Sequence, residues 1–293
     1  MKKLVVMFLF LCMLLSLTGC RTNQAGNSSP VFSNLSFSES SSSSSAASVS
    51  TSVESSTEAQ DHQITLELSF GKCSGIYSGE MLNGLPHGHG SFSYENPDGD
   101  VRTYTGQWVN GHENGQGEFL YGENHKYIGE FKNDFIINGK LYFKDVLVYE
   151  GEFTEGTILD GTGKMFDVSG NVVYSGTFNN GVPDEDTFKA ATKSYDYSEY
   201  ERNPQKHLYS IVAIKGRVIQ SNEDGDYVSI LLIDSDSNIT FLNYIKISSD
   251  EPRILKGDNI TAYCIFEGLY SYETVGNGYT TVPCATAYYI DIH

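Results

Sequence analysis

Basic residues are scarce: 19 Lys and Arg stand against 37 Asp and Glu, a formal net charge of −18 over 293 residues. A surplus this large keeps a chain soluble and repels it from nucleic acid and from anionic lipid headgroups, which makes polyanions poor candidate partners. Cysteine is equally sparse. Cys12 and Cys20 lie near the N-terminus, and Cys73, Cys264 and Cys284 stand in no Cys-x-x-Cys pattern of the kind that zinc and redox sites use. Cys264 and Cys284 flank one expected hairpin, but a turn centred on Gly276-Asn277 sets Cys284 nearer Leu269 than Cys264, so a disulfide needs a shifted register. Also missing are a Gly-x-Ser-x-Gly elbow, a Walker loop and a His-Glu-x-x-His helix. The N-terminal apolar run, Leu4 to Leu17, is 14 residues long, whereas a helix needs roughly 20 to span the hydrocarbon core.

That run follows Lys2 and Lys3, and a basic start with an apolar middle is the layout of a secretory signal peptide. It ends in Leu17-Thr18-Gly19-Cys20, which resembles the bacterial lipobox. The resemblance implies removal of residues 1–19, lipidation of Cys20 and anchoring on the extracellular face of a cell membrane. Cleavage removes two lysines and no acid, leaving 17 basic against 37 acidic residues and a mature charge of −20. Residues 20–62 are dominated by serine, including Ser40 to Ser45. Such a composition buries too little apolar surface to offset its ordering entropy, and it predicts a disordered tether. Its coil span would be about 35 Å and its full extension about 140 Å.

Residues 63–183 turn to Gly, Tyr, Phe and Asn, and a repeat starts at Tyr77, Tyr104, Tyr127, Tyr149 and Tyr174. In the first copy Tyr77, Gly79, Met81, Asn83-Gly84, Gly88, Gly90 and Phe92 occupy the same offsets as Tyr104, Gly106, Trp108, Asn110-Gly111, Gly115, Gly117 and Phe119 in the second. Tyr, Gly and the large apolar residue alternate onto one strand face. Asn-Gly supplies the positive φ angles of a tight hairpin turn, and Gly88 and Gly90 read as bare-backbone seats for aromatic rings. The third copy has Asp134, Asn138 and Lys140 where glycines belong, and the fourth sets Gly161 and Gly163 one residue late, which a bulge would absorb. The fifth stops after Asn180-Gly181 and reads as a cap. This pattern resembles the MORN repeat, which implies a stacked β-hairpin array.

Residues 184–204 form an acidic linker with a short helix ended by Asn203-Pro204. Strand-like runs follow at His207 to Ile219, Tyr227 to Ile233, Ile239 to Ile247, Ile260 to Phe266 and Thr280 to Ile292, so residues 205–293 predict a five-stranded barrel with a bend at Gly216. The order resembles the OB fold. The run Glu251 to Asp258, with Lys215 to Ile219, Gly268 to Glu273 and Ala287 to Ile290, resembles OB-like domains of Gram-positive surface lipoproteins. The fold class is therefore all-β: a MORN-type array, then a small OB-like barrel, behind a disordered tether. Five strands can close a core without the repeats, so the barrel is expected to fold alone.

The chemistry is thin. His87-x-His89 with His112 lacks a carboxylate or cysteine to complete a metal set. Asp234 to Asn238 starts like a calcium loop, but Ile239 replaces its glycine and Ile245 its twelfth-position acid. No catalytic residue, cofactor or metal is assigned. Residues 77–183 carry six basic and fifteen acidic residues, which argues against anionic lipid, and residues 205–293 carry six and eleven, which argues against oligonucleotides. Tyr77, Trp108, Phe131, Phe153 and Phe178 read as core. Tyr270, Tyr272 and Tyr279, in the hairpin that lies near the ligand groove of OB folds, are the candidate ligand residues. The expectation is a non-catalytic, membrane-anchored binding or scaffold protein for a cell-envelope protein or glycan; the alternative is an envelope glycan hydrolase with an unrecognised carboxylate pair.

Overall fold

The computed structural model describes residues 56–96, 99–154, 157–248, 250–273 and 278–293. The signal peptide, Cys20, residues 20–55 of the expected tether and the turn Gly276-Asn277 lie outside the described residues.

Alternation makes strands of the first half, and turn chemistry pairs them. Eleven antiparallel strands lie in sequence order: β1 (Ser56–Leu68), β2 (Gly71–Leu82), β3 (Leu85–Glu95), β4 (Val101–Val109), β5 (His112–Tyr121), β6 (His125–Lys132), β7 (Phe135–Phe143), β8 (Val146–Thr154), β9 (Thr157–Phe166), β10 (Val172–Asn179) and β11 (Val182–Pro183). The pairs Asn83-Gly84, Asn110-Gly111 and Asn180-Gly181 all have positive φ, from 49° to 86°. That twist matches the strands they join. Asn133-Asp134 and Lys144-Asp145 take the same backbone without glycine.

Each repeat tyrosine lies across the bare backbone of its own hairpin. Gly79 pairs with Gly90, Gly106 with Gly117, Gly129 with Gly139 and Gly151 with Gly163. A Cβ on Gly90 would fall 2.2 Å from the Tyr77 hydroxyl, and one on Gly163 2.3 Å from that of Tyr149. The hydroxyls of Tyr77, Tyr104, Tyr149 and Tyr174 donate to the carbonyl three residues on, at 2.6–3.0 Å. Gly88 is different from Gly90. Its φ is +70° and a Cβ there would meet the Glu80 carboxylate, which accepts the His89 N–H at 2.9 Å, so Gly88 serves a bulge and seats no ring. In the fourth repeat the register shifts twice between Gly151 and Thr154, which absorbs its late glycines.

From the second repeat on, the large residue wedges edge-on between two tyrosines. Trp108 meets Tyr77 at 5.6 Å and Tyr104 at 5.2 Å, Phe131 meets Tyr104 and Tyr127, Phe153 meets Tyr127 and Tyr149, and Phe178 meets Tyr149 and Tyr174. All are buried, as the alternation predicts. Edge-to-face pairs add about 0.5–1.5 kcal/mol each beyond their burial.

Strand β1 starts inside what composition assigns to the tether. Residues 56–62 pair with β2, Ser56 opposite Leu82 and His62 opposite Tyr77. Their side chains are mostly exposed, so the apolar signal begins only at Ile64, Leu66 and Leu68.

The linker holds two helices rather than one, α1 (Glu185–Ala191) and α2 (Tyr197–Arg202). Asp184 caps α1 through the Thr187 N–H at 3.0 Å. Phe188 of α1, fully buried, continues the ring row past Tyr174 to Tyr288 and Tyr289. One apolar cluster thus runs from Leu66 to Ile211 and Ile265 of the second unit.

That unit is a closed barrel of β12 (Ile211–Asp224), β13 (Tyr227–Ile233), β14 (Ile239–Ile245), β15 (Asn259–Glu273) and β16 (Tyr279–Ile292). The order is β12-β13-β14-β16-β15, with β15 returning to β12 and β14 parallel to β16. Gly216 is required by close approach, since a Cβ there would lie 2.5 Å from the Ile233 carbonyl. Tyr200 of α2 packs on Phe266 and joins the barrel core. Cys264 and Cys284 are free and buried; Cys284 stands opposite Gly268 and Cys264 opposite Ala287, so the register separates them.

Candidate functional site

Residues two apart on a strand share a face, and this brings Tyr270 and Tyr272 of β15 together. Their rings stack at 6.2 Å with an interplanar angle of 21°. Phe241 of β14 joins them, stacked on Tyr270 at 4.5 Å and 28°. All three are half-buried and stand on the outer wall of the barrel, while Leu242 and Phe266 fill its interior. Tyr197 flanks the row, its hydroxyl donating to the Ile239 carbonyl at 3.0 Å. Tyr279 is 77% exposed at the start of β16 and stands outside the row. Sequence reasoning missed Phe241, which reaches the hairpin only because β14 runs beside β16. A row of ring faces and hydroxyls on a rigid wall can stack on sugar rings or apolar side chains and hydrogen-bond at its rim.

Several histidines and acids of the array make structural contacts. His87 Nδ1 accepts the Asn110 N–H at 3.5 Å. Asp134, buried in the turn position where a glycine was expected, accepts the N–H groups of Ser69 at 2.7 Å and Glu113 at 2.8 Å and pairs with His112 at 2.7 Å. Those contacts explain the missing glycine: the carboxylate ties three distant segments together. Asp234 closes a polar turn, accepting from the Asp236 and Asn238 N–H groups at 2.9 Å.

Glu113 beside Asp134 is the kind of carboxylate pair a hydrolase would need, but both are buried. A substrate cannot reach them. One Glu113 oxygen has no hydrogen-bond partner, and burial first, then the neighbouring Asp134 charge, push its carboxyl well above the usual range. The folded state therefore holds a proton that the unfolded chain loses above about pH 4.3. Stability falls as pH rises from there toward the folded value. Glu113→Gln cannot ionise, so its melting temperature relative to wild type should climb steadily between pH 5 and pH 8. Thermal melts across that range check it; a difference that is flat or falls with pH contradicts the assignment.

Residues 77–96 and 104–125 match the MORN repeat family. These are the first two hairpins of the ring row, and the array carries MORN repeats there. Among curated proteins nothing matches the chain. Among solved structures it is similar to a crystal structure described as an aspartyl-tRNA synthetase from Leishmania major Friedlin, with 14% identity over 34% of this chain and a TM-score of 0.27. The chain spans 20% of that protein's length. At that TM-score the likeness carries no argument.

Proposed function

We propose that the chain is an extracellular lipoprotein of Gram-positive type, anchored to the cell membrane through a lipid on Cys20, that binds a cell-envelope glycan or protein without catalysis. The observation that carries this reading is the stacked row Phe241, Tyr270 and Tyr272 on the outer barrel wall. The MORN-type array supports it as a rigid spacer, since its own rings are consumed by packing. The acidic balance of the whole chain turns it from anionic polymers.

Two outcomes are expected. Tyr272→Ala removes the outer ring of the row, so retention on intact Gram-positive cells should fall at least tenfold while stability stays within about 0.5 kcal/mol of wild type. Treating the cells beforehand with a protease or with a muramidase tells a protein ligand from a glycan. Unchanged retention of the variant would remove the row from the account. Cys20→Ala should leave the protein unacylated and shift it from the membrane fraction to the medium, or leave it unprocessed; a variant still cleaved before residue 20 and acylated would remove the anchor.

A further inference from the structure

Where the last hairpin of the array meets the outer wall of the barrel there is a cleft of about 890 Å3. Phe178, Val182 and Pro183 line it from the array side, and Ile265, Tyr288 and Ile290 from the barrel. The volume falls in the range of small-molecule sites, roughly 300–1,000 Å3. It is separate from the Phe241 row, none of whose residues lines it.

Most charged groups on its wall are already matched. Lys246 pairs with Glu223 at 2.6 Å, and Glu185 with Lys189 at 2.7 Å. Glu251 accepts the Tyr244 hydroxyl and the N–H groups of Ile247 and Ser248. Asp184 is held by Thr187. Glu267 differs. Its carboxylate takes the Thr286 hydroxyl at 2.8 Å and a long Cys284 thiol contact at 3.9 Å, and among the described residues no Lys, Arg or His lies within 4 Å of it. The Tyr288 hydroxyl, on the same wall, makes no hydrogen bond among the described residues, although that tyrosine senses the Glu267 charge. A half-buried carboxylate without a counter-ion is costly unless a cation arrives or a proton stays on it.

We infer that this cleft binds a small amphipathic cation, its primary ammonium on Glu267 and the Tyr288 hydroxyl and its apolar stem between Pro183 and Ile290. Burial raises the Glu267 carboxyl to about 7, against the lowering effect of Thr286 and Cys284, in keeping with an acid that lacks its counter-ion. The chain's acidic surplus would raise the local concentration of such a ligand.

The test is calorimetric titration of the full chain with n-octylammonium, with n-octanol as the same stem without charge, at pH 8. Saturable one-to-one binding of the amine is expected, weakened at least tenfold by Glu267→Gln, with octanol at least tenfold weaker than the amine and indifferent to that substitution. Tyr272→Ala should leave amine binding unchanged, which keeps this result distinct from the envelope-ligand reading. Should Glu267→Gln fail to fold, methyl chemical shifts of the wild type answer instead: the amine should move Ile265, Ala287 and Ile290. Equal affinity for octanol, amine binding that survives Glu267→Gln, or unmoved methyls at those three residues would overturn the proposal.

Discussion

Trp108→Ala should lower the stability of the protein by about 3–5 kcal/mol, the range for deleting a large buried aromatic. Trp108 is 1% exposed and holds three edge-on ring contacts, with Tyr77, Phe92 and Tyr104. Its indole N–H donates to the Gly90 carbonyl at 3.1 Å, so truncation also removes a part-buried hydrogen bond. Neighbouring rings can close the gap only partly, because Tyr77 and Tyr104 are each fixed by a hydroxyl bond and a glycine seat. Denaturant melts followed by near-ultraviolet circular dichroism measure the loss. A change under about 0.5 kcal/mol, the size of an ordinary surface effect, would mean that Trp108 is a surface platform and not a wedge.

Phe188→Ala should be comparably damaging, about 3–5 kcal/mol, and should also change the shape of the transition. Phe188 is fully buried, and it touches Tyr174 on the array side and Tyr288 and Tyr289 on the barrel side. Other ties across the junction include the Tyr289 hydroxyl, which donates to the Pro183 carbonyl, the Val168 N–H, which donates to the Leu208 carbonyl at 3.1 Å, and Lys189, which bonds Asp291 at 2.7 Å. With the ring present, a single cooperative unfolding step is expected; without it, array and barrel should separate into two steps in calorimetry. A barrel fragment starting at Asp186 keeps its own interior but leaves Phe188 and Tyr288 without the Tyr174 cover, so it should fold with reduced stability. An unaltered single transition in Phe188→Ala would show that the junction is held elsewhere.

The repeat was legible because its demands are local. Asn-Gly announces a positive-φ turn, and Tyr-x-Gly announces a ring beside bare backbone; both hold over two or three residues. Strand β1 was not fully legible, since residues 56–62 are polar on both faces and are strand only because β2 lies beside them. Gly88 was misread because a positive-φ bulge glycine and a ring-seating glycine look alike in sequence. Phe188 gave no signal either. It is one ring in an acidic stretch, and the tyrosine it bridges to in the barrel, Tyr288, lies 100 residues on. At the candidate site, the OB resemblance pointed to Tyr270 and Tyr272 through the hairpin that holds them, but Phe241 comes from a different strand and needed the barrel closure to appear. Glu267 reads in sequence as one acid among 37; only the cleft distinguishes it.

The proposed division is between aromatic rings that hold the array and rings that would hold a ligand. The most direct test sets Trp108→Ala beside Tyr272→Ala and measures, for each, stability and retention on intact cells at a temperature where both remain folded. Opposite patterns are expected: Trp108→Ala unstable yet retained, Tyr272→Ala stable yet washed away. A stable Trp108→Ala protein that no longer binds, with Tyr272→Ala retained like wild type, would contradict it.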